Sequence, residues 1–204
     1  MIEFVLAVLS LGTGVFAASA GAKLRSHAAF SNFRAGLRAT ALISERQLRK
    51  LAVVLVTAET TVAASLPGGL VLVASGTAGA APLAESALAA AAALIAILAA
   101  GVTIVIRRGT QARCACFGGR SSRPLGITHL IRNSCLLLVL AAALVVGSVG
   151  LHRTAGGRSL AGLVVAVLAG AVVALLFIRW DDLADLFAPI PASQAQPSSG
   201  RRPA

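Results

Sequence analysis

Two cysteines separated by one residue carry the densest chemistry in the chain. They lie in the run Arg107-Arg108-Gly109-Thr110-Gln111-Ala112-Arg113-Cys114-Ala115-Cys116-Phe117-Gly118-Gly119-Arg120. A disulfide across so short a loop closes a tight ring, and strained disulfides are readily reduced, so the pair suits exchange better than permanent stapling. Arg113 and Arg120 flank it and favour the thiolate, the form that attacks a partner disulfide. Gly118 and Gly119 let the chain turn so that the sulfurs can approach one another or a partner. The residues alone leave three readings open: a redox-exchanging pair, idle thiols, or a zinc site using Cys114, Cys116 and His129. The zinc spacing fits no usual pattern and shows no fourth ligand. Cys135 reads as a small apolar packing residue, and His27 and His152 as solvated loop residues.

Glu59 stands in an otherwise apolar stretch. Ionisable side chains in such stretches are expensive to bury and normally face a partner or a water-filled cavity. Glu59 is therefore either a proton- or substrate-coupling carboxylate or a hydrogen-bonded packing residue, with Thr57, Thr60 and Thr61 near enough to satisfy it. Arg132 and Asn133 open another apolar stretch, and they are expected to anchor it at the cytoplasmic interface, where arginine can snorkel. No phosphate-binding glycine loop with lysine, no His-Glu-x-x-His and no Gly-x-Ser-x-Gly elbow occurs. Arginine clusters without interleaved aromatics give little support for nucleic acid.

These residues are held by a chain of 204 residues that is 57% hydrophobic and only 12% charged, with mean hydropathy +0.88. A soluble globule could not cover that much apolar surface. Disorder requires low hydrophobicity and is excluded as well. Three cysteines without a paired framework exclude a disulfide-stapled secreted domain. Five stretches meet the requirement of about 20 apolar residues for a membrane crossing: residues 2–22, 51–73, 83–106, 130–150 and 160–178. The expected fold is an all-α transmembrane bundle. A four-helix membrane domain would cover residues 1–150, an additional transmembrane helix 151–187, and a disordered cytoplasmic tail 188–204. Ala18-Ser19-Ala20 resembles a signal-peptide cleavage site, but the first stretch lacks a positive n-region and is long for an h-region, so it is expected to be retained.

The formal charge is +11, and it is unevenly spread. The loop after the first stretch holds Lys23, Arg25, Arg34, Arg38, Arg46, Arg49 and Lys50, and the loop from 107 to 129 holds Arg107, Arg108, Arg113, Arg120 and Arg123. The link from 74 to 82 has no charge, and that from 151 to 159 only Arg153 and Arg158. The positive-inside rule then places the N-terminus outside and the C-terminus in the cytoplasm of a multi-pass plasma-membrane protein. Phe30, Phe33, Leu37, Leu42 and Ile43 alternate with basic residues in the first loop, which reads as an interfacial amphipathic helix or as a solvated loop. Small residues at four-residue spacing mark packing seams: Gly162, Ala166, Gly170 and Ala174 in the fifth stretch, and Gly14, Ala18 and Gly21 in the first.

With these residues in place, the chain resembles the methylamine utilisation protein MauE family, which is related to DoxX-like membrane proteins. The resemblance rests on Gly21-Ala22-Lys23-Leu24, Phe30, Glu59, Arg108-Gly109, Cys114-Ala115-Cys116-Phe117-Gly118 and Arg132-Asn133, and covers about residues 1–150. It implies a four-helix membrane protein that assists maturation of the disulfide-rich, periplasmic small subunit of methylamine dehydrogenase, alongside a thioredoxin-like partner. Cys114 and Cys116 would then be the exchanging pair, with Lys23, Glu59, Arg113, Arg120, Arg132 and Asn133 in support. No cofactor is implied. Ala115 stands where glycine is common in the family, and the fifth stretch extends beyond the four-helix core. A noncatalytic DoxX-like scaffold or small-molecule carrier, with Glu59 in a central cavity, is the alternative. The cysteine loop is expected in the cytoplasm while the implied client's disulfides form outside. Either the topology is inverted, or the pair communicates with cytoplasmic reductants.

Overall fold

The computed structural model describes residues 1–40, 44–77, 79–109, 126–150, 159–180 and 182–183. Among these residues the regular structure is entirely helical: α1 (Ile2–Leu24), α2 (His27–Ala39), α3 (Glu45–Ser75), α4 (Ala80–Arg107), α5 (Ile127–Gly150) and α6 (Leu160–Ile178). All but α2 are long and apolar enough to cross a membrane. At 1.5 Å per residue, the 19 residues of α6 span about 28 Å, close to the thickness of a bilayer's hydrocarbon core. The all-α expectation holds, as do the five long apolar segments. Their outward faces carry Val71, Ile97, Leu138, Val145 and Val165, all exposed. So much exposed apolar surface is a liability in water and the required surface in lipid.

α1, α3, α4 and α5 form the core, each packed antiparallel against its neighbours in the ring, and α6 lies parallel to α1 on its outer side. One end of the bundle, the α2 end, therefore holds the last turns of α1, α4 and α6 and the first turns of α3 and α5. α1 is the central helix, with 61% of its span buried against 17% for α6. The seam between these two is built from small residues. A Cβ added at Gly170 would lie 2.8 Å from Ser10 Cβ, and one at Gly14 would lie 2.7 Å from Ala174 Cβ. Ser10 Oγ donates to the Val167 carbonyl at 2.9 Å. The fifth-stretch seam is thus realised through Ala166, Gly170 and Ala174, all buried. On α1 the close approach runs through Ala7, Ser10 and Gly14, whereas Gly21 is exposed with open space around it.

α3 and α4 approach closely at the far end, where a Cβ on Gly69 would lie 3.1 Å from Ala84 Cα. Gly76, at φ 71°, ends α3 in the left-handed conformation that the turn into α4 requires. Pro67 lies inside α3 and leaves the Ala63 carbonyl without its backbone donor. α3 also starts six residues before the apolar stretch does, at Glu45 instead of residue 51. Arg46, Arg49 and Lys50 are exposed there while Leu48 is buried, so the charges ride one face of a helix that a hydropathy window cuts short.

The basic first loop contains a true helix. Ser26 caps α2, its Oγ accepting from the Ala29 amide at 3.0 Å. Phe30, Phe33 and Leu37 share one face and pack on Ala52, Leu55 and Val56 of α3. His27 is exposed, as expected, but on the first turn of this helix and not in a loop. His152 and the tail from residue 188 lie outside the described residues.

Candidate functional site

Ser19 and Lys23 stand four residues apart and so share one face of α1. Both are buried, and both meet Glu59, near the midpoint of α3. Lys23 Nζ donates to Glu59 Oε2 at 2.6 Å and to Ser19 Oγ at 2.7 Å, while Ser19 Oγ donates to Glu59 Oε2 at 3.2 Å. The Phe33 ring of α2 covers the ammonium, with its centroid 5.0 Å away. This is a cation–π contact made stronger by desolvation. Lys23 is 1% exposed and Glu59 3%, so both charges depend on one another: a buried charge without its counter-ion is strongly destabilising.

Opposite this pair, α5 contributes one continuous face. His129, Arg132, Asn133 and Leu136, at the spacing i, i+3, i+4 and i+7, are all buried. Between the two groups lies a cavity of about 230 Å³. Ser19, Glu59, His129, Arg132 and Asn133 give it a polar wall, while Phe16, Leu55, Leu98, Val102 and Leu136 make much of the remainder apolar. Gly36 and Leu37 of α2, with Thr40 that caps its C-terminus, close it at the α2 end. Lys23 sits behind Glu59, outside the lining.

Several sequence expectations change here. Thr60 and Thr61 do not satisfy Glu59: their hydroxyls donate to the Val56 and Thr57 carbonyls of their own helix at 2.8 and 2.9 Å. The partners come from α1, because an ionised carboxylate facing the bundle interior is better served by a lysine than by hydroxyls already engaged with their helix. Arg132 and Asn133 do not snorkel to an interface; at 6% and 8% exposed they face inward. Lys23, counted in the loop charge, is folded inside the bundle. Ser19, which drew notice only within a small-residue triplet, is the bridge between the two charges. The signal that could have found it is the i, i+4 pairing of a serine with a lysine at the end of an apolar helix. His129, considered as a zinc ligand, instead lines the cavity. Cys135 is half-buried in α5 with a free thiol, consistent with a packing role. Arg113, Cys114, Cys116 and Arg120 lie outside the described residues, but the flanking Gly109 and Gly126 both sit at the α2 end.

Neither a curated protein nor a solved structure matches the chain. A family model does, the one described as methylamine utilisation protein MauE, over residues 1–147. That stretch takes in α1 to α4, nearly all of α5, and with them Lys23, Glu59, Arg132 and Asn133. α6 lies beyond it. The chain belongs to the MauE family.

Proposed function

We propose that this protein is a plasma-membrane accessory factor of methylamine utilisation that exchanges disulfides with partner proteins through Cys114 and Cys116. The family description supports the first half of this reading. The observation that carries the second is where the segment bearing the pair is tethered. The helices on either side of it, α4 and α5, both reach the same buried polar site, through Val105 and through His129, Arg132 and Asn133.

In the exchange, a partner thiolate attacks one sulfur of the Cys114–Cys116 disulfide, forming a mixed disulfide and releasing the other cysteine as thiolate. A second partner thiolate then attacks the mixed disulfide and closes the partner's own. Two electrons and two protons pass from the partner dithiol to the pair. The reverse exchange with the disulfide of a thioredoxin-like partner restores the starting state. Arg113 and Arg120 stabilise the departing thiolates. The Lys23–Glu59 pair and the α5 face act as a rigid support for the ends of α4 and α5, the helices that flank the segment in the chain.

The test is trapping. A Cys116→Ala chain is expected to accumulate a mixed disulfide through Cys114, visible on a non-reducing gel and lost on adding dithiothreitol. Maturation of the methylamine dehydrogenase small subunit is expected to fall to the level of cells lacking the protein when both cysteines become alanine. Undiminished maturation in the double variant overturns the redox reading.

A further inference from the structure

We infer that the cavity bounded by α1, α3, α4 and α5 and closed by α2 is a binding site for a small uncharged amphiphile, an apolar body carrying one hydroxyl head, and that the Asn133 side chain receives the head. This inference does not rest on the cysteines. The volume, about 230 Å³, exceeds the roughly 150 Å³ of an apolar protein cavity that stays dry and binds benzene. Most of the wall is aliphatic or aromatic, Phe16, Leu55, Leu98 and Leu136 among it, and only a few polar side chains interrupt it. Ligand sites have this form: an apolar enclosure with a small number of polar groups that orient the guest.

The polar wall selects the head by what it leaves unused. Glu59 is held by Lys23 and Ser19. Ser19, His129 and Arg132 are each engaged with other groups of the chain. Asn133 differs from them. It lines the cavity and is 8% exposed, yet among the described residues its carboxamide has no hydrogen-bond partner. A buried amide without a partner is costly, and a guest that hydrogen-bonds to it offsets that cost. The carboxamide both donates and accepts, and a hydroxyl answers both. A charged head would enter a low-dielectric enclosure whose ionised groups are already engaged, so it would lose its hydration without gaining a counter-ion.

The way in selects the body. Ile97 lines the cavity and is also 62% exposed on the outer face of α4. The cavity thus reaches the surface that faces lipid, and a molecule dissolved in the membrane can enter without crossing water.

8-Fluorooctan-1-ol is a direct probe, added to the full chain in nanodiscs and followed by ¹⁹F NMR. A saturable bound resonance, distinct from that of the lipid-dissolved alcohol and absent from empty nanodiscs, is expected. Asn133→Leu keeps the size of the side chain and removes the amide. It is expected to weaken binding about three- to tenfold, as for loss of one hydrogen bond between neutral groups. Its thermal unfolding midpoint is expected to stay level or rise, because no internal hydrogen bond is lost. A lowered midpoint would make the amide a structural partner and overturn its role as receptor of the head. Gly101→Leu tests the enclosure itself. Gly101 lines the cavity, and a Cβ there meets nothing within 4 Å, so the added side chain starts into open space and is expected to abolish the bound resonance. Unchanged binding in Gly101→Leu overturns the site. At equal mole fraction in the bilayer, octane competing as well as unlabelled octan-1-ol overturns the hydroxyl head, and equal competition by octyl sulfate overturns the exclusion of charge. A Cys114→Ala/Cys116→Ala chain is expected to bind the alcohol normally, which separates this site from the fate of the redox reading.

Discussion

At the scale of single residues, the Lys23–Glu59 pair is the costliest feature of the molecule and its most informative one. Removing one member of a buried ion pair leaves a charge with nothing to neutralise it, at a cost of about 3–5 kcal/mol, whereas replacing both by apolar residues of similar size is often neutral. Lys23→Met and Glu59→Leu are each expected to lower stability by about that amount, and the double variant to lose less than either alone. Reversible unfolding in mixed micelles measures all three, and simple additivity would mean that the two charges are not coupled. Phe33→Leu keeps the apolar cover and removes the ring face, so it is expected to cost about 0.5–2 kcal/mol. Glu59 was legible in the sequence as a residue needing a partner, because a carboxylate in an apolar stretch always does. Which partner was not legible. The threonines are near in sequence, but their hydroxyls turn back onto their own helix, and the true partners are 40 and 36 residues away.

The helices themselves were the most legible level, since a run of some 20 apolar residues has few alternatives to a membrane span. Legibility fails where a helix outruns its apolar run. α3 continues through Arg46, Arg49 and Lys50 because those side chains share an exposed face, while Leu48 on the other face is buried. α2 was ambiguous because amphipathic helices and basic loops have the same composition, and only the docking of Phe33 on Ala52 and Val56 decides. The inward turn of Arg132 and Asn133 was hidden for a related reason: α5 begins at Ile127, which moves both out of the first turn and onto the cavity face. The α1–α6 seam gives a prediction at this scale. A side chain at Gly170 runs into the Ala7 carbonyl and Ser10, so Gly170→Leu is expected to push α6 off α1. In a chain whose native cysteines are alanine, Ser10→Cys and Val167→Cys are expected to cross-link readily with Gly170 in place and poorly with leucine. Equal cross-linking would mean that the helices are not held by small-residue packing.

For the whole molecule, charge asymmetry is the property that governs how it sits in a membrane. Every lysine and arginine among the described residues lies toward the α2 end, from Lys23 and Arg25 through Arg46, Arg49 and Arg107 to Arg179. The opposite end holds Glu3 and Glu85 and the uncharged α3–α4 turn. Basic segments are retained on the cytoplasmic side during insertion, so the α2 end is expected to face the cytoplasm. Two exposed positions test this in a chain with its native cysteines replaced by alanine. His27→Cys, at the α2 end, is expected to react with a membrane-impermeant maleimide only after the cells are opened. Thr77→Cys, at the other end, is expected to react in intact cells. The reverse pattern would invert the molecule. Its consequence reaches the chemistry, because Gly109 and Gly126 bracket the cysteine segment at the α2 end. With that end inside, Cys114 and Cys116 meet cytoplasmic partners and a client outside is served only through a further carrier. With it outside, the pair meets the client's thiols directly and no carrier is needed.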